Sequence, residues 1–281
     1  MSREILCGPA GSGKTRRVLR EYVSTIAEHG EDAALLVLPS RLACERVRRG
    51  LVADGEVRGL LDPRILTFPD LAQLLLDANH ANVTRISDLQ QRLLMRQVTE
   101  ELCAEGELQA LAPMCEFAGF IESVSGLINE LKRIAIDSEA FAKRIQGAAV
   151  DGERGREIAE IYRRYQQRLQ APDPPLYDDA GAFWWARDLL RDGERRPFEH
   201  LRVIVVDGFD DFTTTQLQVL DELAGFEGIE RLLITLCLDE DDGRRPELFR
   251  RTRRTLGRIR EILGELQCTH IGASDECTTD R

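Results

Sequence analysis

The sequence predicts an α/β fold: a parallel sheet with helices on both faces, interrupted by an all-helical insertion. Three observations lead to this prediction. The first 80 residues alternate between apolar runs and amphipathic helices. Residues 85–175 show helical periodicity and almost no strand pattern, and apolar runs return after them. Alternating β and α patterns are typical of doubly wound parallel sheets.

In the first 80 residues, continuous apolar runs indicate strands that are buried on both faces. The predicted strands cover residues 4–7, 33–38 and 64–68. The predicted helices cover residues 16–28, 41–51 and 69–79. Ser40 precedes the second helix in the position of a cap.

The helical insertion and the region after it complete the prediction. Helices are predicted at residues 89–103, 114–134, 137–146 and 153–169, before the proline-rich stretch 171–175. Strands follow at 201–206 and 231–238, with helices at 180–190, 214–223 and 250–266. We therefore divide the chain into a first α/β part (1–84), a helical insertion (85–175) and a second α/β part (176–281). The tail after Gln267 is expected to be loose.

The amino-acid composition excludes several classes of protein. The 281 residues are 43% hydrophobic and 31% charged, with a net charge of −11, which is typical of a globular protein rather than a disordered or fibrous one. No apolar run is long enough for a membrane span, and the N-terminus has no apolar signal stretch, so we expect a cytoplasmic protein without a membrane partner. The seven cysteines contain no CxxC pair, which favours reduced thiols over a metal site.

The most specific motif lies between the first strand and the first helix. It fits GxxxxGK[ST] in full and consists of Gly8, Pro9, Ala10, Gly11, Ser12, Gly13, Lys14 and Thr15. Glycines let the backbone N–H groups surround an anion, and the following helix adds its positive end. Lys14 can reach the β- and γ-phosphates of ATP, and the Thr15 hydroxyl can bind Mg²⁺. The motif therefore predicts a P-loop for ATP and Mg²⁺.

Asp207 follows a strongly apolar predicted strand and is the second candidate. A carboxylate at a strand end beside a P-loop can hold Mg²⁺. We therefore predict that Lys14 and Asp207 are catalytic residues and that Thr15 and Asp207 are the Mg²⁺ ligands. The next residue is Gly208, where a glutamate general base is common. Asp210 and Asp211 are alternatives for that base, although loop residues two or three positions away usually point elsewhere.

Two groups of arginines have two possible interpretations. Each is either a phosphate-contacting surface for nucleic acid or a solvated helix face. The first group is Arg41, Arg46, Arg48 and Arg49; the second is Arg244, Arg245, Arg250, Arg251, Arg253, Arg254, Arg258 and Arg260. Trp184 and Trp185 could stack on bases, but their position on a predicted helix favours core packing.

Four blocks in a fixed order carry a family resemblance. They are GPAGSGKTRRVLREY, LLVLPSRLACERVRRGL, RILTFPDLAQLLL and VIVVDGFDDFTTTQLQVLDEL. Over about residues 3–265 the chain resembles the N-terminal part of the AddB/RexB-type subunits of ATP-dependent helicase/nucleases, which are superfamily-one helicase-like proteins with a C-terminal PD-(D/E)xK nuclease. The most family-specific piece is Asp207-Gly208-Phe209, followed by Phe212-Thr213 and Gln216.

The resemblance implies a RecA-like motor domain, interrupted by a helical subdomain, that acts in recombinational repair of double-strand breaks. It implies nucleotide binding by Lys14 and Thr15, the second-motif acid at Asp207, and DNA contacts by two pairs of residues. These pairs are Ser40 with Arg41 and Thr67 with Phe68. The implied partners are single-stranded or broken-end DNA and a second helicase/nuclease subunit.

The leading hypothesis is an ATP-binding helicase-like module, weak or degenerate as an ATPase, without a second motor half or a nuclease motif. Gly208 fits such degeneracy. Two alternatives stay open. One is a non-enzymatic, nucleotide-stabilised scaffold for a partner helicase subunit, and the other is a small P-loop phosphotransferase.

Overall fold

The computed structural model describes residues 1–53, 59, 61–146, 152–238, 247 and 249–272. The chain forms two compact units: unit 1 consists of Met1–Asn79 and Ala186–Arg281, and unit 2 of His80–Trp185. The strands are β1 (Ser2–Gly8), β2 (Ala34–Val37), β3 (Ile65–Leu66), β4 (Thr84–Arg85), β5 (Leu176–Tyr177), β6 (Val203–Val206), β7 (Arg231–Cys237) and β8 (Gln267–His270). The helices are α1 (Lys14–His29), α2 (Arg41–Ala53), α3 (Phe68–Ala78), α4 (Asp88–Ala104), α5 (Ala118–Arg133), α6 (Ser138–Gln146), α7 (Gly152–Gln170), α8 (Asp179–Arg191), α9 (Thr214–Ala224) and α10 (Arg250–Leu263).

Unit 1 contains a six-stranded parallel sheet in the order β3-β2-β6-β7-β1-β8. Because the strands are parallel, their carboxyl ends share one edge of the sheet, where doubly wound folds bind ligands. In the register of this sheet, Val206 pairs with Ile234 and Leu6 pairs with Thr235. The ends of β6, β7 and β1 therefore lie side by side at the same edge.

Helices cover both faces of this sheet. Val203 and Val205 of β6 join a core cluster with Val18 and Tyr22 of α1. Successive residues of a strand point to opposite faces, and Ile204, between the two valines, is equally buried. The predicted α/β fold, with a parallel sheet flanked by helices, is confirmed.

Unit 2 is mainly helical. Its core is a cluster of buried residues from α4, α5 and α7, among them Met95, Ile128 and Tyr162. The Nε1 of Trp184 donates a hydrogen bond to the carbonyl of Lys132 at 2.9 Å, so this ring packs within unit 2.

A buried ion pair lies inside unit 2. Lys132 on α5 donates to Asp178 at 2.5 Å, and their side chains are only 3% and 2% exposed. The same carboxylate accepts hydrogen bonds from Tyr165 on α7 (2.7 Å), Gln91 on α4 (3.3 Å) and the Gly181 amide (2.7 Å). Burial opposes ionisation of Asp178, but the Lys132 charge and these donors outweigh it and lower the pKa of the carboxyl. The Asp178 carboxylate thus contacts side chains from three helices, α4, α5 and α7.

The structure differs from the predicted elements at several places. The two-residue strands β4 and β5 form a parallel pair at the two ends of the insertion, where no strand was predicted. The predicted helix 114–134 begins only at Ala118, since Phe117 has an extended backbone. The tail is not loose at its start, because β8 pairs with β1 as an edge strand. Residues 273–281 lie outside the described part.

No helix in the described ranges combines the length and the apolar character needed to cross a bilayer.

Candidate functional site

The P-loop motif joins β1 to α1 at the carboxyl edge of the sheet. Gly11 and Gly13 have φ values of 80° and 83°, in the left-handed region that glycine adopts without a steric penalty. Gly13 is the N-cap residue of α1 and has no side chain to accept the amide hydrogens of the first turn. These amides and the helix dipole form an anion-binding arrangement.

Gly8 lies so close to neighbouring atoms that a side chain would not fit at this position. A Cβ atom at this position would lie 2.4 Å from the carbonyl oxygen of Ile271 and 2.6 Å from the Ser12 Oγ. Ile271 follows β8, and its amide donates to the carbonyl of Cys7 at 2.8 Å. The segment after β8 therefore packs directly on the first residue of the loop.

Lys14 is fixed above its own loop. Its Nζ donates to the carbonyl oxygens of Gly8 (2.8 Å) and Pro9 (2.7 Å) and to the Ser12 Oγ (3.2 Å). These contacts hold the ammonium group against its own loop. Ala10, the remaining residue of the motif, completes the turn between Pro9 and Gly11.

Thr15 and Asp207 meet although they are 192 positions apart in the chain. The Thr15 hydroxyl donates to Oδ2 of Asp207 at 2.9 Å, and the Thr235 hydroxyl donates to Oδ1. Asp207 is 5% exposed and follows β6, while Thr235 lies on the neighbouring strand β7. The strand order thus places Asp207, which follows β6, close to the P-loop, which follows β1, with β7 between the two strands.

These oxygens suit a hard divalent cation. Mg²⁺ prefers oxygen ligands and is usually held by one or two protein groups together with phosphate oxygens and water. Thr15 and Asp207 supply one hydroxyl and one carboxylate next to each other. Within the described residues, no three histidine, cysteine, aspartate or glutamate side chains converge on one point.

The residue after Asp207 sits in a constrained turn. Gly208 has a φ of 83°, and a Cβ atom there would lie 3.4 Å from the Cδ of Pro39. A non-glycine residue would be strained in this conformation. The turn therefore explains why glycine, and not glutamate, occupies the position.

The two aspartates considered as replacements for a general base are not equivalent. The Asp211 carboxylate accepts hydrogen bonds from Thr255 (3.1 Å) and Arg258 (3.2 Å) on α10, and Arg251 lies 3.6 Å away. Asp211 is thus engaged by three side chains of α10. The Asp210 side chain is exposed, and its carbonyl accepts from Thr255 at 3.0 Å.

The residues expected to face DNA lie at the ends of β2 and β3. The Arg41 guanidinium, 83% exposed, donates to Asp70 at 2.8 Å, and Thr67, the N-cap of α3, donates to the same carboxylate at 2.7 Å. Burial opposes ionisation of Asp70, but the hydrogen bonds from Arg41 and Thr67 prevail and lower its pKa. The Ser40 Oγ accepts from the Ala43 amide at 3.2 Å and caps α2.

Phe68 requires a correction. It is 1% exposed and belongs to the core, so its ring is not available to DNA. The reason is that α3 begins at Phe68 and turns the side chain inward, under Phe209 and Phe212, with ring centroids 5.2 and 6.1 Å away. Phe209, stacked on Phe212 at 5.1 Å, is the half-buried ring at this edge.

Two members of the second arginine group are engaged in contacts within unit 1. Arg258 donates to the carbonyl of Phe212 as well as to Asp211, and Arg251 is an ion-pair partner of Asp211. Arg244 and Arg245 lie outside the described residues. The sequence did not predict the roles of Thr235 and Asp70, or the contacts of Arg258 and Arg251 with Asp211, because none of these residues belongs to a local motif.

Comparison with known proteins gives a consistent result. The family model described as "ADDB, N-terminal" matches residues 5–280. Similar curated proteins are named as the B-type subunit of an ATP-dependent helicase/deoxyribonuclease. They come from Moorella thermoacetica (27% identity over 93% of this chain and 23% of that protein) and Heliobacterium modesticaldum (26%, 93% and 22%). A third, from Desulforamulus reducens, is 24% identical over 85% of this chain and 20% of that protein.

The chain therefore spans about a fifth of the length of the curated relatives it matches. The family match, in contrast, covers nearly all of the chain. On that coverage, this chain belongs to the family of ADDB N-terminal regions.

Proposed function

We propose that this chain is the ATP-binding, DNA-contacting module of a helicase/nuclease subunit that processes DNA breaks in the cytoplasm. The observation that carries the proposal is the hydrogen bond between Thr15 and Asp207 beside a P-loop against which Lys14 is held. Family membership and the names of the curated relatives support the helicase/nuclease setting.

Each residue of the site has a defined part in nucleotide binding. The loop amides and the α1 dipole bind the phosphate oxygens, and Lys14 neutralises charge on the β- and γ-phosphates. Thr15 and Asp207 would hold Mg²⁺, which would offset the negative charge of the phosphates. The Thr235 hydroxyl orients Asp207 by occupying its second oxygen.

The Lys14→Ala variant tests the site. We expect its affinity for Mg-ATP to fall by about 10- to 100-fold, because charge-assisted contacts to phosphate are lost. Isothermal titration calorimetry measures the effect. Lys143→Ala is the matched control, since Lys143 is exposed on α6 and its removal changes the net charge equally. Equal affinity in the wild type and Lys14→Ala would reject the assignment.

The Gly208 turn supports slow hydrolysis at most. A glutamate base after Asp207 would be strained in the left-handed conformation of this turn, and Asp211 is engaged by α10. The same turn favours the second candidate function, a nucleotide-stabilised scaffold that docks on a partner helicase subunit. ATP-dependent thermal stabilisation without phosphate release, together with co-purification of a helicase subunit, distinguishes the scaffold from a slow ATPase.

DNA binding is proposed for the edge formed by the ends of β2, β3 and β6. Ser40 and Arg41 are exposed there, whereas Thr67 is only 7% exposed and would act by holding Asp70, the partner of Arg41. The half-buried ring of Phe209 is the aromatic candidate in place of Phe68. An arginine supplies phosphate contact and an aromatic ring supplies a stacking surface for an unpaired base.

Arg41→Ala is expected to weaken binding of single-stranded DNA by about 3- to 10-fold and to lower the salt dependence by about one phosphate contact. Fluorescence anisotropy with a labelled oligonucleotide, over a series of salt concentrations, measures both quantities. Arg49→Ala is the control, because Arg49 is on the same helix, 81% exposed and also paired with a carboxylate (Glu45, 3.2 Å). An equal loss for both variants would indicate a non-specific charge effect.

A further inference from the structure

Two cysteines meet on neighbouring strands of the sheet. Cys7 on β1 and Cys268 on β8 are 261 positions apart, yet their Sγ atoms lie 3.6 Å from each other. In the register of the strands, Cys7 pairs with His270 and Ile5 pairs with Cys268, so the two thiols are diagonal neighbours on one face. A disulfide has an S–S distance of about 2.05 Å, so the two sulfurs would have to approach by about 1.5 Å to form one.

The two thiols differ in accessibility. Cys7 is 0% exposed, whereas Cys268 is half-buried on an edge strand. The exposed His270 has its Nε2 3.5 Å from the Cys268 Sγ. An imidazole at this distance can take the proton of the thiol, and the thiolate is the form that reacts with oxidants. Cys268 is therefore placed to be oxidised first, with Cys7 in contact as the second thiol.

Two other cysteines, Cys44 and Cys115, are less suited to oxidation. Burial raises the pKa of the Cys44 thiol, and burial together with the neighbouring Cys103 raises the pKa of Cys115 to about 12. A thiol with a raised pKa is rarely ionised and reacts slowly with peroxide. The pair on β1 and β8, in contrast, combines a reachable sulfur with a second thiol beside it.

The strand that carries Cys268 can make the required approach. In the sheet order β8 is the last strand, next to β1, and edge strands open and shift more easily than central ones. Ile271, just after β8, donates its amide to the Cys7 carbonyl, and its own carbonyl lies against Gly8. A bond between Cys7 and Cys268 would therefore hold the strand that leads into the contact with the first residue of the P-loop.

We propose that Cys7 and Cys268 are a reversible oxidation site, at which hydrogen peroxide produces a disulfide that holds β8 on β1. In the cytoplasm, the compartment proposed for this chain, cysteine pairs of this kind are usually redox-sensing rather than structural. The chemistry needs no nucleotide, so it does not depend on the proposed function of the P-loop.

The oxidation takes place in two steps. The Cys268 thiolate attacks one peroxide oxygen and the O–O bond breaks, which leaves a sulfenic acid; the departing hydroxide takes the proton held by His270 and becomes water. The Cys7 thiol then attacks the Cys268 sulfur. The S–S bond forms, the S–O bond breaks, and the departing hydroxide takes the Cys7 proton to give a second water. Two thiols thus lose two electrons to one peroxide, and a dithiol reductant reverses the change by thiol–disulfide exchange.

Treatment of the full chain with hydrogen peroxide, followed by alkylation and peptide mass spectrometry, tests for the bond. We expect a cross-link between Cys7 and Cys268 that dithiothreitol removes. In Cys268→Ser we expect oxidation of Cys7 to be at least about tenfold slower, because the buried thiol has lost the reachable one beside it. Cys237→Ser is the matched control, since it removes a half-buried cysteine from β7, on the other side of β1, and it should form the cross-link as the wild type does.

Three results of this experiment would overturn the proposal. They are two thiols that both stay reduced, a disulfide that joins only other cysteines such as Cys103 and Cys115, and overoxidation of Cys268 without a cross-link.

Hydrogen exchange tests whether the bond holds β8. We expect the amides of residues 268–271 to exchange about tenfold more slowly in the cross-linked chain than in the reduced chain, because a cross-linked edge strand opens less often. Cys268→Ser should exchange at the same rate with and without peroxide. If the cross-linked chain exchanged these amides as fast as the reduced chain, the inferred effect of the bond on β8 would be wrong.

Discussion

Replacing Lys132 with methionine is expected to lower the free energy of unfolding of unit 2 by about 3–5 kcal/mol, the largest stability effect we predict. The reason is that Asp178, 2% exposed, would keep its charge without the ammonium partner 2.5 Å away. Tyr165, Gln91 and the Gly181 amide still donate to it, which places the loss toward the lower end of this range. Hydrogen exchange of peptides from α4, α5 and α7, followed through a urea series, measures the loss.

Two controls separate charge from packing in this prediction. The double variant Lys132→Met with Asp178→Leu removes both charges, and replacement of a whole buried pair by apolar residues is often neutral. Arg85→Met breaks a pair whose partners are both more than half exposed, and we expect a change within about 0.5 kcal/mol. If Lys132→Met showed the same hydrogen-exchange protection as the wild type, the conclusion that the ion pair stabilises unit 2 would be wrong.

Gly8→Ala is the second variant with a large expected effect. The new Cβ would meet the carbonyl of Ile271 at 2.4 Å and the Ser12 Oγ at 2.6 Å, so the loop or the segment after β8 has to move. We expect a loss of about 2–4 kcal/mol in the stability of unit 1, because the clash involves backbone on one side. We also expect loss of ATP-dependent thermal stabilisation, since a displaced loop no longer directs its amides to one point.

Scanning fluorimetry with and without Mg-ATP measures both effects of Gly8→Ala. Gly257→Ala is the control, because Gly257 is on α10 of the same unit and a Cβ atom there meets nothing within 4 Å. Removing a helical glycine should leave stability unchanged or raise it. Wild-type melting and ATP response in Gly8→Ala would refute the steric argument.

The sequence predicted those parts of the site that depend on local patterns. The P-loop is a contiguous motif, and Asp207 follows an unbroken apolar run, so both were visible without a structure. In contrast, β4 and β5 have two residues each, too short to show a period of two, and β8 (QCTH) has no apolar pattern.

Side-chain direction and long-range pairing were not predictable in the same way. Phe68 begins a helix, and only the packing of α3 decides that its ring turns inward under Phe209. Thr235 reaches Asp207 because β7 lies next to β6, which depends on the strand order of the whole sheet. Lys132 and Asp178 are 46 positions apart, with no motif to link them.

The turn after β6 also bears on how such a site can change over evolutionary time. Gly208 has a φ of 83°, a conformation that side chains rarely adopt, so the turn itself limits which residue can replace the glycine. A single codon change to glutamate at position 208 would meet strain before it could supply a base. A base at this position would require the turn between β6 and α9 to change its backbone conformation first. A constraint of this kind would make a general base hard to gain at position 208, so that a nucleotide site of the kind proposed would stay suited to binding alone.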